Sequence, residues 1–307
     1  MARILKLVDP VGEFKPVVAS FLHDCEVRNL SPRTLHYYQE YLVPWLAFAE
    51  NEGITPRSTT PQHVKDFLLY LPAKLSPATR NSHLRAVKAL FGWMTREGWI
   101  EENPAGAVKQ QKERRSMFPT FSQEALAKLL AQPNRKTFCG LRDYTLMVLL
   151  ADTGVRISEA LGLRICDVDI REGLVTVLGK GNKMRQVPIG QTTKRVLWKW
   201  LEFRGEIPGQ DRIFPNRYGE VWLSRQAEKS IAEYGNKADI KGVRVSPHTF
   251  RYTFATMWLR SGGDLFTLQR ILGHTSLEMV RRYAQQVVSD LQEKHRIYSP
   301  MDRLIRK

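Results

Sequence analysis

Two helix beginnings, punctuated alike, most constrain what this chain can fold into. Leu30-Ser31-Pro32 with Thr34 recurs 45 residues later as Leu75-Ser76-Pro77 with Thr79. Each serine is a good N-cap, and each proline suits a first helical turn, where its missing N–H costs nothing. Apolar residues follow at helical spacing: Tyr38, Leu42, Trp45 and Ala49 in one stretch, Leu84, Val87, Phe91 and Met94 in the other. Both runs close on Glu-Gly, at Glu52-Gly53 and Glu97-Gly98, and glycine favours a helix C-terminus. The echo reads as shared capping grammar rather than duplication. Pro44 is expected to bend or interrupt the first helix. Together these signals predict a compact four-helix unit over residues 13–100.

The pattern changes further on. Ser122 with Ala125, Leu126 and Leu129 opens a helix, and Asp143 to Ala151 forms another. Leu174 to Leu178 is rich in branched residues. A glycine-bearing turn, GKGNKM, separates it from Arg185 to Ile189, which makes a β-hairpin. Helical periodicity then returns to the C-terminus. The expected fold is mainly α with a small β-sheet, in two domains over residues 1–108 and 120–307. Between them, residues 109–119 begin with the basic run KQQKERRS, a solvated linker or a strip that lies along a phosphate backbone.

Charge narrows the partner. The 307 residues carry 47 Lys+Arg against 31 Asp+Glu, a net +16. That excess favours a polyanion, and nucleic acid is the commonest one. Cys25, Cys139 and Cys166 are widely spaced and form neither a disulfide framework nor a zinc pattern. The opening MARILKLVDPVGEF places charges, Pro10 and Gly12 where a signal peptide needs an apolar stretch, and the run Leu146 to Ala151 is too short to span a bilayer. A cytoplasmic protein with no membrane partner is expected.

The chemistry-bearing stretches are "DTGVRISEALGL", "PHTFRYTFATMW" and "LGHTSLEMVRRY". His248, His274 and the more distant His295 lack zinc-ligand spacing. A phosphate reading absorbs more residues. A phosphodiester under attack gathers negative charge on its non-bridging oxygens, and arginine offers a planar, permanently charged fork to hold it. His248 and Arg251 are three apart on a helix starting near Ser246-Pro247, so they are expected on one face. Arg156 and Glu159 are also three apart, a pair in which the carboxylate could orient the guanidinium or form a plain surface salt bridge. Thr275 to Glu278 fits a capping box, opening a helix that carries Met279 and Tyr283 on one face. Phenol titrates near pH 10, so a nucleophilic tyrosine needs a base or a cationic field beside it. Tyr252 and Tyr298 are the rival tyrosines.

Taken in order, Arg156, Lys180, His248, Arg251, His274 and Tyr283 make the chain resemble the tyrosine recombinases, or phage integrase family, especially their Xer-like and integrase-like members. The resemblance is carried by "TGVRISEALGL", "VLGKGNKMRQVPI", "SPHTFRYTFATMW" and "LGHTSLEMVRRY". It implies an N-terminal helical core-binding (SAM-like) domain and a C-terminal catalytic domain. It further implies that Arg156 and Arg251 clamp the scissile phosphate, that Tyr283 attacks it, and that Lys180 in the hairpin turn protonates the leaving oxygen. By the same resemblance His248 acts in proton transfer, His274 donates to the phosphate, and Glu159 supports the arginine and histidine. No metal or other cofactor is implied. The implied partners are double-stranded DNA bearing an inverted-repeat site, further copies in a tetramer on two DNA sites, and a paralogous recombinase or accessory factor. The tail with Val287, Val288, Leu291 and Ile297 docks on a neighbouring protomer in this picture, or folds back on its own domain. A non-catalytic sequence-specific DNA-binding protein and a type IB topoisomerase-like nicking and closing enzyme are the alternatives. Helices at residues 76–98 and 225–235 are the expected readers of bases.

Overall fold

The computed structural model describes residues 13–112, 118–179 and 183–274, and beyond these 276, 278, 280–283, 295 and 299–305. The chain divides into two compact units, Met1–Arg115 and Ser116–Lys307. Lys180, Thr275, Met279, Tyr298 and the apolar tail positions 287, 288, 291 and 297 lie outside the described residues.

In the first unit, α1 (Phe14–Val27), α2 (Pro32–Asn51), α3 (Pro61–Tyr70) and α4 (Pro77–Arg96) form the predicted four helices. The twin starts share one geometry: Ser31 Oγ accepts from the Thr34 N–H at 3.2 Å, and Ser76 Oγ from the Thr79 N–H at 3.2 Å. Pro44 does not interrupt α2, which runs through it. An internal proline costs about 3 kcal/mol, but Leu42, Trp45, Phe48 and Ala49 are buried on both sides of it. The carbonyl deprived of its partner belongs to Glu40, an exposed residue. Trp45 centres the core, with Phe14, Phe67 and Phe91 meeting it edge-on at 5.4, 5.2 and 5.6 Å. The chain after α4 is tied back along it. Lys88 Nζ donates to the Gly106 carbonyl at 3.1 Å, and Asn81 exchanges two hydrogen bonds with the Gln111 backbone, at 3.0 and 2.8 Å. The first unit's ordered chain thus extends into the segment read as linker.

The second unit is built around α6 (Phe138–Thr153), longer than its predicted apolar segment and buried on nearly every side. A helix apolar all round belongs inside a fold. Preceding it is α5 (Gln123–Leu130); after it come the short α7 (Ile157–Gly162) and a 3-10 turn, Ile165–Asp167. The sheet is a three-stranded antiparallel meander of β1 (Val168–Asp169), β2 (Leu174–Leu178) and β3 (Met184–Pro188), with Val175 paired to Val187. The two-residue β1 was too short to read in advance. Val175, Val177 and Val187 turn one face of the hairpin into the core. α8 (Gln191–Arg204), α9 (Ser224–Lys237), α10 (Pro247–Arg260), α11 (Leu265–Leu272) and α12 (Pro300–Ile305) follow. A buried ionic network fastens α9 to α6: Arg142 Nε donates to Asp143 Oδ1 at 2.8 Å, and Tyr234 Oη donates to Asp143 Oδ2 at 3.0 Å. Trp222 lies under the Arg142 guanidinium at 3.5 Å. No helix among the described residues is long and apolar enough to cross a membrane.

Candidate active site

Four segments far apart in sequence meet in the second unit. The first is the turn ending α6. Gly154 takes φ 61° there, and an added Cβ would lie 2.5 Å from Phe254 Cδ1 and 2.8 Å from Leu272 Cδ2. Left-handed backbone and closeness both demand glycine. Arg156 follows as the N-cap of α7, and Glu159 reaches back to it: the Arg156 N–H donates to Oε2 at 2.8 Å and Arg156 Nη1 donates to Oε1 at 2.8 Å. The Arg156 side chain stays 38% exposed while that of Glu159 is 4% exposed, so the carboxylate is the fixed partner and the guanidinium faces outward.

α10 supplies the second segment. Arg251 is 4% exposed. Its Nη1 donates to the Gly154 carbonyl at 2.7 Å, and its Nη2 to the Leu272 carbonyl at 2.7 Å and to His274 Nε2 at 2.9 Å. An arginine only donates, so His274 Nε2 accepts and the imidazole is neutral with its proton on Nδ1. Burial and the neighbouring Arg156 charge push Arg251 down to about 10, still charged at neutral pH. His248 and Arg251 stand three residues apart on α10 as expected, but His248 is exposed while Arg251 is buried. His248 sits in the first turn of α10, between buried Pro247 and Thr249. Its ring lies 6.3 Å from that of Tyr252, which in turn lies 6.0 Å from that of Tyr283.

His274 follows α11, at whose C-cap Gly273 adopts φ 66°. The His274 N–H donates to the Gln269 carbonyl at 3.1 Å, and Gln269 Nε2 donates back to the His274 carbonyl at 3.0 Å. Burial, then the charges of Arg251, Arg156 and Arg185, push the imidazole down from its usual 6.5 to about 4. The unfolded chain therefore takes up a proton before the folded chain does. His274 contributes stability in full above pH 6.5 and loses it as pH falls towards 4. Glu159 acts in the same direction lower down: burial opposes its charge, but hydrogen bonds from Arg185 and Arg156 hold its carboxyl below 4.5. Melting temperature is therefore expected to fall on acidification from pH 7 to 4.5, with a shallower slope in His274→Asn; parallel slopes would exclude His274 as the titrating group.

Tyr283 lies among the helical residues 280–283 and is 1% exposed. Its ring is 6.1 Å from His274 and 5.1 Å from Phe118. Phe118 stacks on Tyr252 at 4.4 Å, with the Arg282 guanidinium 4.5 Å from its centre. Burial raises the Tyr283 phenol above its ordinary value, and the neighbouring charge of Arg251 opposes that rise. At neutral pH the phenol keeps its proton.

Arg156, Glu159, Arg251, His274 and Tyr283 are therefore gathered in one place, and His248 stands one aromatic ring away. Two contributors were missed. Arg185, read in the sequence as the start of the second hairpin strand, donates to both Glu159 oxygens, at 3.1 and 2.8 Å. Phe118 covers the tyrosine, and its one sequence signal was an aromatic residue just after a basic run. Three guanidinium groups (Arg156, Arg185, Arg251) face one carboxylate (Glu159), a surplus of two positive charges in a partly desolvated place. Such a surplus suits a phosphodiester gaining charge. Among the described residues no cluster of His, Cys, Asp or Glu could hold a metal ion.

Comparison with known proteins points to one family. A family model described as the phage integrase family matches residues 119–289, and one described as the phage integrase N-terminal SAM-like domain matches residues 18–101. The tyrosine recombinase XerC of Pelobacter propionicus is 32% identical over 89% of this chain and 91% of its own. The tyrosine recombinase XerD of Shewanella oneidensis is 29% identical over 93% and 97%. Among solved structures, XerA recombinase has 26% identity and a TM-score of 0.53, covering 92% of this chain and 98% of that one. A post-cleavage complex of XerH recombinase on palindromic difH substrate gives a TM-score of 0.74 at 22% identity, covering 93% and 85%.

Proposed function

The chain belongs to the phage integrase family of tyrosine recombinases, and we propose that it is a site-specific DNA recombinase that breaks and rejoins strands through a covalent tyrosyl intermediate. The observation that carries this reading is the buried guanidinium of Arg251, which hydrogen-bonds His274 beside the buried ring of Tyr283.

In this mechanism Arg156 and Arg251 hold the non-bridging oxygens of the scissile phosphate, and His274 adds a hydrogen bond once DNA is bound. The Tyr283 oxygen attacks phosphorus, its proton passing to His248. The bond from phosphorus to the 5′ oxygen breaks, and Lys180, whose place lies outside the described residues, supplies the proton that leaves a 5′-hydroxyl. The product is a 3′-phosphotyrosyl ester, close in energy to the phosphodiester consumed. A 5′-hydroxyl from a second duplex can therefore reverse the step, and two rounds of exchange pass through a four-way junction. Glu159 orients Arg156 throughout. The reaction requires two duplexes and several protomers, in keeping with a tetramer on paired inverted-repeat sites. The net charge of +16 favours such a polyanionic partner.

A covalent trap tests the reading. Nicked fragments of the source genome are incubated with the protein, denatured, and whatever DNA stays attached is sequenced. Adducts mapping to one short inverted repeat are expected. Tight binding without adducts would favour a non-catalytic DNA-binding protein, and adducts scattered without site preference a topoisomerase-like enzyme. Binding itself should weaken steeply with salt: ~6–10 phosphate contacts cost on the order of 10³–10⁵ in affinity between about 50 and 200 mM. A flat salt response would remove DNA as the partner.

A further inference from the structure

Arg185 has no part in the steps above, yet all three of its guanidinium nitrogens are engaged. It stands on β3 with its side chain 14% exposed. Nη2 donates to Glu159 Oε2 at 2.8 Å, Nη1 to Glu159 Oε1 at 3.1 Å, and Nε to the Ile271 carbonyl at 2.8 Å. The backbone leaves room for the group on two sides. A Cβ on Gly273 would lie 2.9 Å from Arg185 Cζ, and one on Gly179 would lie 3.2 Å from its Nη1. Two glycines thus leave a slot that the guanidinium fills.

Its effect on the neighbouring pair follows from charge and geometry. Arg185 takes the Glu159 carboxylate as a two-pronged fork, the strongest arrangement open to these groups. Arg156 is left holding Glu159 through a single Nη1 and its backbone N–H. A buried carboxylate with Arg156 as its sole cation would draw that guanidinium into the fork position instead. It would also cancel the positive charge that a phosphate needs. The third bond, to Ile271, ties the pair to the end of α11, next to the Leu272 carbonyl that Arg251 holds and three residues before the site's His274.

We infer that Arg185 is a positioning residue of the phosphate site: it neutralises Glu159 so that Arg156 is oriented but not consumed, and it fixes the α11 turn that presents His274. The inference rests on the recombinase reading.

Two variants separate charge from propping. Arg185→Lys keeps the charge and loses the fork; Arg185→Gln keeps N–H donors and loses the charge. The first readout needs no DNA: the His274 imidazole is titrated by NMR in the full-length protein. The groups facing it are Arg251 on α10, Arg156 and Glu159 at the start of α7, Arg185 on β3 and the phenol of Tyr283. His274 is expected to titrate about one pH unit higher in Arg185→Gln than in wild type, and close to wild type in Arg185→Lys. Equal behaviour of the two variants would mean a prop only and overturn the electrostatic role. The second readout is single-turnover cleavage of a nicked duplex carrying the site recovered by adduct sequencing. Arg185→Gln should slow cleavage on the order of 10²-fold with duplex affinity nearly unchanged, and Arg185→Lys should recover much of the loss. Wild-type cleavage with an equally fast Arg185→Gln would overturn the inference alone; no wild-type adducts at all would overturn the recombinase reading and this role with it.

Discussion

Tyr283→Phe is expected to remove covalent DNA attachment altogether while leaving fold and DNA affinity almost untouched. The ring is 1% exposed and packs against Phe118, Tyr252 and His274, contacts that phenylalanine reproduces. Only the hydroxyl goes, a net change of about 0.5–1.5 kcal/mol at most for one polar group. Cleavage, by contrast, loses its nucleophile, so adduct formation should fall by on the order of 10⁴-fold or more. Denaturing gels of trapped complexes measure the adduct, and thermal unfolding checks the fold. Tyr252→Phe is the matched control. Its ring stacks on Phe118 beside the same site, so a comparable loss there would shift the nucleophile from Tyr283 to Tyr252. Adducts surviving in Tyr283→Phe would refute the assigned role outright.

How much of this was legible beforehand depends on the scale of the cause. Local causes were readable. The serine caps at Ser31 and Ser76 act within three residues, and the branched run Leu174–Leu178 announces its hairpin without reference to the rest of the fold. The Arg156–Glu159 pair was also local, although sequence could not choose between a surface bridge and a buried orienting carboxylate. Burial decides it: Glu159 is enclosed because Arg185 comes from 26 residues away to neutralise it. That is a tertiary fact with no periodic trace. The same holds for α10, where a three-residue spacing suggested one shared face for His248 and Arg251. Spacing fixes angle about the helix axis but not burial, and His248 is exposed although its first-turn neighbours Pro247, Thr249 and Phe250 are buried. Pro44 failed as a breaker because packing before and after it along α2 outweighs one lost hydrogen bond.

Arg251→Ala should be the most damaging substitution among the cationic residues, and for two separable reasons. The guanidinium is the shared donor for the Gly154 and Leu272 carbonyls and for His274 Nε2. Its removal leaves those acceptors buried beside a cavity, at a cost of about 1–3 kcal/mol for each group left unsatisfied. Unfolding by heat or denaturant should report that loss, and it should also loosen the α11 turn that presents His274. Catalysis suffers separately, because a fixed positive charge disappears from the place where phosphate gains negative charge; on the order of 10³-fold in cleavage is expected. DNA affinity should change far less, since one phosphate contact among ~6–10 carries a small share of the total. Arg251→Lys divides the two effects. An ammonium keeps the charge but cannot span both carbonyls and the imidazole as a planar fork does, so it should recover part of the stability and little of the rate. Cleavage must be compared well below the lowered melting temperature of each variant, so that unfolding is not counted as lost chemistry. Strand exchange that survived in a folded Arg251→Ala would mean the phosphate is held elsewhere, and would return Arg251 to the role of an internal tie between α6, α10 and α11.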